Sequence, residues 1–319
     1  MITPERVLAI TIDTEVDKSS SWRIATPPTF RSVTEGIPQL LQPLFSSCGA
    51  RPTYLLSPEV IEDDDSTAVL SSLGPEAELG THLHAEFVSP ERRLVAASMG
   101  GQHANALQCQ CPPGIELAKL KALTYLFERR FGYRPTSFRA GRYALGDSTL
   151  AHLAGLGYAA DSSITPGLRW NYAEGVVDHR RHCAGPSVVR TDAGPIVELP
   201  ISVRPGGVAA PTVDRLPSPV SRAARAVLGD RARYLWLRPS WESGRSLIRY
   251  VESSAETVLV LMFHSTEIIP GASPFAATVS DVGRIAAALH DLLAHCARVG
   301  IRCVGLTDAA ALIREAGDR

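Results

Sequence analysis

The sequence predicts an α/β protein folded as a distorted (β/α) barrel of about seven parallel strands. Three observations carry that expectation. The strand candidates are almost wholly apolar, as strands buried on both faces of a parallel sheet must be. The segments between them are long enough for crossover connections, and most of these have a helical period. Strand after strand also finishes on an ionisable residue, where parallel α/β folds gather their chemistry. A doubly wound open sheet is the alternative arrangement of the same elements.

Val7–Ile12 opens the series and runs into Asp13, with Glu15 and Asp17 close behind. Residues 17–36 are polar and contain Trp22 and Pro27-Pro28, so they read as a long loop. Ile37, Leu40, Leu41, Leu44 and Phe45 give a helix from Ile37 to Cys48, which Gly49 stops. Pro52–Leu56 is the second strand, and the acidic run Asp63-Asp64-Asp65 caps a short helix through Leu73. Glu78–His84 is the third strand, ending on two histidines. Residues 87–113 look irregular, and Ile115–Phe131 is a helix with Leu117, Leu120, Leu123 and Phe127 on its apolar face.

Ser137-Phe138 is a short strand that leads into Arg139, and Asp147 caps a helix through Leu156. Tyr158-Ala159-Ala160 then runs to Asp161. Residues 164–195 read as a solvated loop, with His179, Arg180, Arg181 and His182 as a candidate anion surface within it. Ile196–Ile201 is a strand, Ser221–Leu228 and Arg245–Glu252 are helices, and Val258–Phe263 is a buried strand ending on His264. Val279–Val299 is the longest helix, with Ser280 as its expected cap and Gly300 as its stop. Ile301–Gly305 is the last strand, and Asp308 starts a terminal helix. No internal repeat or linker divides the chain, so residues 1–319 are expected to form a single domain.

With 45% hydrophobic residues and a net charge of -1, the composition gives no electrostatic case for nucleic acid or an anionic membrane. No apolar run approaches the roughly 18–20 residues of a membrane span. The first residues lack a basic region followed by an apolar core, so the expected location is the cytoplasm. The six cysteines are scattered and are read as reduced thiols. Cys109 and Cys111 form a CxC without a second pair at finger-like spacing. Trp22, Trp170, Trp236 and Trp241 are candidates for a sugar platform or for core packing.

An HxH such as His82-Leu83-His84 is, taken alone, an ordinary polar strand end. Position changes that reading. Asp13, Glu15, His82, His84, Arg139, Asp161 and His264 all fall at or just past strand ends, which share one face in a parallel barrel. Burying such groups without partners costs several kcal/mol per ion. Imidazole and carboxylate are ordinary ligands for divalent metals, so the convergence points to a metal-dependent site.

The quoted segments resemble the motifs of the polysaccharide deacetylase family, the NodB-homology carbohydrate esterases of family 4, from about Val7 to Leu312. Thr11–Glu15 resembles the first motif, which implies Asp13 as catalytic base and Glu15 as metal ligand. Glu78–His82 resembles the second, which implies His82 as a ligand. Phe138–Tyr143 resembles the third, which implies that Arg139 braces the base. Asp161 matches the aspartate that tunes the catalytic histidine, and Leu261–Ser265 resembles the motif whose histidine, here His264, is the general acid. The chain departs from the family at Glu86, where a second metal-binding histidine is usual. Either His84 or Glu86 fills that place, and the GxHxH arrangement favours His84.

The resemblance implies a divalent cofactor, Zn²⁺ first and Co²⁺, Ni²⁺ or Mn²⁺ next. It also implies removal of an N-acetyl group from a sugar or glycan. Asp13 would take the proton of the attacking water, and His264 would protonate the departing amine. The competing readings are a non-sugar amide or ureide hydrolase and a non-catalytic carbohydrate-binding protein on the same scaffold. The sequence does not disclose the oligomeric state.

Overall fold

All eight residues of the first strand, Val7–Thr14, are buried, so it needs a neighbour on each edge and a packed layer on each face. The computed structural model, which describes residues 5–24, 27–90, 92, 107–216, 218–240 and 245–317, supplies both. In chain order the strands are β1 (Val7–Thr14), β2 (Thr53–Leu56), β3 (Glu78–Leu83), β4 (Ser137–Ala140), β5 (Ala160–Asp161), β6 (Arg169–Asn171), β7 (Val176–Asp178), β8 (Ser187–Thr191), β9 (Gly194–Glu198), β10 (Val203–Pro205), β11 (Tyr234–Trp236), β12 (Val258–His264) and β13 (Arg302–Val304). The main sheet has nine strands in the order β12-β1-β2-β3-β4-β5-β9-β8, with β13 also on β1. Every pairing is parallel except β8 with β9.

The sheet curls into a distorted barrel, and the gap between β9 and β12 is bridged rather than paired. Ser202 N donates to Val260 O at 3.0 Å, Leu237 N to Ser202 O at 2.9 Å and Met262 N to Leu237 O at 3.2 Å. The Ser202 hydroxyl accepts from Val260 N at 2.9 Å. Two residues from irregular segments thus give the backbone groups of β12 the partners that a strand would supply.

Alternation along β1 sorts the core into two layers. Leu8, Ile10 and Ile12 face outward and pack with Val33, Ile37, Leu41, Leu289 and Leu292 from the surrounding helices. Val7 and Ala9 face the interior with Leu55, Ala160, Val197 and Val260, and Leu306, Ala309 and Ala310 of the terminal helix close this end. Above that apolar plug the interior is polar, beginning with Thr11 and Asp13.

The helices are α1 (Gln42–Ser47), α2 (Pro58–Glu62), α3 (Asp64–Ser72), α4 (Pro113–Phe131), α5 (Thr149–Gly155), α6 (Ala210–Val213), α7 (Ser218–Leu228), α8 (Ser246–Glu252), α9 (Val279–Val299) and α10 (Leu306–Gly317). The helix expected from Ile37 begins earlier, as wide π-helical turns over Ser32–Leu41 that continue into α1. Asp17 anchors its start, accepting from Arg31 N at 2.8 Å and Ser32 N at 3.1 Å. Asp63 caps α3 by accepting from Ser66 N at 2.8 Å. The bounds of α9 are those read from the sequence, but its cap is Thr278 and not Ser280. Thr278 and Asp281 form a reciprocal capping box, which Ser280 inside the first turn cannot do.

The reading of 164–195 as loop needs correction. β6 and β7 pair as an antiparallel hairpin, and β8 pairs with β9 from Ser187↔Glu198 to Thr191↔Gly194. These strands are short and half-exposed, so they lack the apolar run that marks the central ones. Most of the expected irregular stretch 87–113 lies outside the described residues, as does Trp241.

Candidate metal centre and its pocket

Three rungs at the C-terminal ends of the parallel strands pair ionisable residues: Asp13↔His264, His82↔Arg139 and Asp161↔Glu198. The strand-end convergence expected from the sequence is therefore a matter of register. Arg139 lies at its centre and is fully buried. Its Nη1 donates to Asp13 Oδ1 at 2.6 Å, Nη2 to Thr11 Oγ1 at 2.8 Å and Ser162 Oγ at 2.9 Å, and Nε to Ser162 O at 2.7 Å. Burial alone would push the Asp13 carboxyl up. The positive charge of Arg139, then His82 and His264, outweighs it and holds Asp13 below the usual carboxylate range.

β3 delivers His82 and His84 to one side, because residues two apart on an extended chain point the same way. The Nε2 atoms of His82 and His84 lie 3.2 Å and 2.9 Å from the same oxygen, Glu15 Oε1. These three residues can each offer a ligand atom within 4.8 Å of the others, and all are buried. Glu15 Oε2 is held by the buried Lys18 Nζ at 3.0 Å, which leaves Oε1 to the histidines.

The donor chemistry fits a divalent metal. His82 Nδ1 is 3.1 Å from the Arg139 carbonyl, which can only accept, so Nδ1 carries the proton. With Nδ1 so committed, Nε2 is the ring atom turned to the carboxylate oxygen, and a cation between them would be ligated by both. Two imidazole nitrogens and one carboxylate oxygen are a donor set that could hold a divalent metal with a coordination position left open. The carbonyl behind His82 is the kind of outer partner that fixes a ligand's tautomer.

His84, not Glu86, joins this group. Glu86 is bound by Arg142 Nη2 at 2.7 Å and faces His84 Nδ1 at 3.9 Å, so it stands behind the ring. Burial opposes the charged form of His84, but Glu15 and Glu86 outweigh it and raise its pKa to about 9. Arg142 reaches Glu86 from a backbone turn in which Arg142 and Tyr143 both have positive φ, 54° and 57°. Gly141 precedes them because a Cβ there would meet Leu83 O at 2.6 Å.

His264 forms the other half of the site. Its Nε2 faces Asp13 Oδ2 at 4.0 Å, and its Nδ1 is 2.9 Å from Glu267 Oε1. Glu267 is fully buried, also accepts from His264 N at 2.9 Å, and is paired with Arg238. Burial raises the Glu267 carboxyl, but Arg238 and His264 more than offset that and hold it low.

Asp161, expected to tune His264, has other partners. Its carboxylate accepts from Ser163 N at 2.9 Å and Ser163 Oγ at 2.7 Å, and it faces Glu198 across the β5–β9 rung. Among the described residues the carboxylate on His264 Nδ1 is Glu267. Burial raises both Asp161 and Glu198, and the charge of Asp161 raises Glu198 further.

These groups open into a cavity of about 700 Å³, whose walls include Lys18, Trp22, Arg142, Tyr143, Trp170 and Arg238. Trp22 stands edge-on to His264 with ring centroids 4.9 Å apart. Trp170 and Trp236 meet above Tyr143, at 5.2 Å and 6.3 Å from its ring. His179 does not belong to an exposed anion surface. It is buried, its Nδ1 accepts from Thr165 N at 3.0 Å, and burial with the neighbouring His182 lowers its pKa to about 4.

Sequence reasoning missed Glu267, Lys18, Glu198 and Arg142. A signal existed for two of them. Glu198 interrupts an apolar strand, and Glu267 follows His264 by three residues, within reach of a ring at a capping position.

No family model matches the chain, and no curated protein matches it in sequence. Solved structures do. A Mycobacterium smegmatis protein assigned to the polysaccharide deacetylases superposes with a TM-score of 0.52 at 16% identity, covering 99% of this chain and 93% of that one. A Parabacteroides distasonis glycoside hydrolase/deacetylase gives 0.53 at 10% identity, covering 98% and 72%. The allantoinase PuuE gives 0.50 at 13%, covering 100% and 92%. The chain thus has the fold of the polysaccharide deacetylases, a distorted NodB-like barrel. Among the described residues no helix is long and apolar enough to cross a membrane.

Proposed function

We propose that this chain is a metal-dependent amide hydrolase that removes an N-acetyl group from a sugar or glycoconjugate. The observation that carries the reading is the convergence of His82 and His84 on Glu15 Oε1, beside an Asp13–His264 pair whose nearest atoms are 4.0 Å apart. Structural similarity to deacetylases and an allantoinase supports hydrolysis of a C–N bond. A divalent ion held by Glu15, His82 and His84, zinc first, would supply Lewis acidity toward a carbonyl and lower the pKa of a bound water towards about 7.

The chain's own residues do the rest. Arg139 keeps Asp13 ionised, so Asp13 can take a proton from the attacking water. Glu267 holds Nδ1–H of His264 and aims Nε2 at the cavity, where it gives a proton to the departing amine. Trp22 covers that side of the ring.

The test is metal content and acetate release on untagged protein. About one divalent ion per chain is expected in the wild type and none in His82→Ala. Asp13→Asn keeps the ion but loses about 10²–10⁴-fold in acetate release from N-acetylated sugars. Allantoin is the comparison substrate. Wild-type protein that takes up no ion after incubation with zinc overturns the proposal.

A further inference from the structure

We infer that a second cavity, on the far side of Trp170, binds the phosphate or diphosphate carried by the sugar substrate. The inference deepens the function proposed above and rests on it for the sugar, though not for the phosphate. The cavity has a volume of about 720 Å³ and lies between β6, β11 and α7. Trp170 lines both this cavity and the catalytic pocket, so the two are neighbours across its ring.

Charge selects the ligand. Arg169, Arg222, Arg225 and Arg233 line the cavity, against one carboxylate, Asp214, which Arg225 holds at 3.0 Å. Four guanidinium groups less one carboxylate leave three positive charges in a chain whose net charge is -1. Planar, permanently charged guanidinium groups match phosphate oxygens two at a time. Tyr234 and Trp236 add ring faces for a sugar or base attached to the phosphate.

The orientation of α7 is an independent indication. A surface helix ordinarily turns its apolar side inward. Here Ser221 is buried and Arg225 half-buried against the cavity, while Val220 and Val227 face solvent at 51% and 84% exposure. A helix that places Ser and Arg inside and Val outside is accounted for when a polar ligand fills the space it faces.

The experiment is a tryptophan-fluorescence titration of the full chain with inorganic pyrophosphate and with UDP, since Trp170 and Trp236 report from the cavity wall. Saturable binding is expected, weakened at least tenfold in an Arg222→Ala/Arg233→Ala double variant and weakened by salt. Both arginines are exposed, so replacing them opens no space in the core. His82→Ala should bind pyrophosphate as the wild type does, which separates this cavity from the metal centre. UDP binding tighter than pyrophosphate assigns the phosphate to a nucleotide. Equal binding together with co-sedimentation on phosphatidylcholine vesicles containing one-fifth phosphatidic acid assigns it to a lipid carrier. Either supports the inference. Absent binding, or equal binding by the double variant, overturns it, even where acetate release is normal. Pyrophosphate binding without acetate release leaves the subsite standing and removes the deacetylase reading.

Discussion

Asp13 and Glu15 stand on one side of Arg139, and Asp161 and Glu198 on the other. All four carboxyls are buried to nearly the same extent. Asp13 and Glu15 are held below their ordinary range, whereas Asp161 and Glu198 are raised above it. Burial pushes all four up, so burial cannot be the difference. The nearest partner decides. Asp13 has a guanidinium at 2.6 Å and Glu15 has Lys18 at 3.0 Å with two imidazoles beside it, whereas Asp161 has the neutral donors of Ser163 and Glu198 faces the Asp161 carboxyl. A strand-end carboxylate is reactive or structural according to its neighbours on adjacent strands.

The largest effect expected from this contrast is on stability. Arg139→Met strands Asp13 without its cation and leaves Ser162 O and Thr11 Oγ1 without a donor. Removing one partner of a buried pair costs about 3–5 kcal/mol. Glu198→Gln replaces a carboxyl whose charged form burial and Asp161 already oppose, so its cost should stay near ~1 kcal/mol, the net worth of an ordinary hydrogen bond. Urea unfolding of both variants makes the comparison. Similar losses in the two would mean that the carboxyl pairs do not differ as described.

The next effect is on turnover, and it decides which acid serves His264. Glu267→Gln keeps an acceptor for His264 N but takes the charge from Nδ1 and from Arg238. Since a positioned acid contributes about 10²–10⁴-fold, a loss of roughly 10²-fold in kcat with little change in KM is expected. The pH profile of kcat should change its shape, which a loss of packing alone would not cause. Asp161→Asn should leave that profile intact. If Asp161→Asn reshapes it and Glu267→Gln does not, the role read from the sequence for Asp161 is restored.

The barrel was legible because its strands are unusually plain. Val7–Ile12 and Val258–Phe263 are apolar on both faces, and their ends fall where the polypeptide must meet solvent or ligand. Asp13, Glu15, His82, His84, Arg139 and His264 followed from those ends, and the structure brings all six together. Asp161 occupies an equivalent strand end but belongs to the Glu198 pair, because lateral register, unlike strand position, is not written in a single chain segment. Lys18 and Arg142 reach the site from irregular backbone, Arg142 through a left-handed turn that no short pattern announces. The excursion from β6 to β11 was opaque for the same reason. Its strands are three-residue to five-residue pieces without a clean period, and α7 presents the reverse of the expected face.

The smallest expected effect lies in that excursion, and it extends the contrast to a third buried group. His179 is lowered to about 4 from an ordinary value of 6.5 by burial and by the nearby charge of His182. Above pH 6.5 neither folded nor unfolded chain protonates it, and it adds no pH dependence. As pH falls from about 6.5 towards 4 the unfolded chain binds the proton first, so stability falls across that window by up to about 3 kcal/mol. Asp13 also favours the folded state above the ordinary carboxylate range, but its contribution is lost only as pH falls further, through its depressed folded value. Chemical denaturation as a function of pH should therefore show two separate declines. His179→Asn keeps an acceptor for Thr165 N and should flatten the upper one alone. An upper decline unchanged in that variant would mean that His179 is already hydrated in the folded chain, and that the hairpin around it is looser than the barrel rim where Asp13 sits.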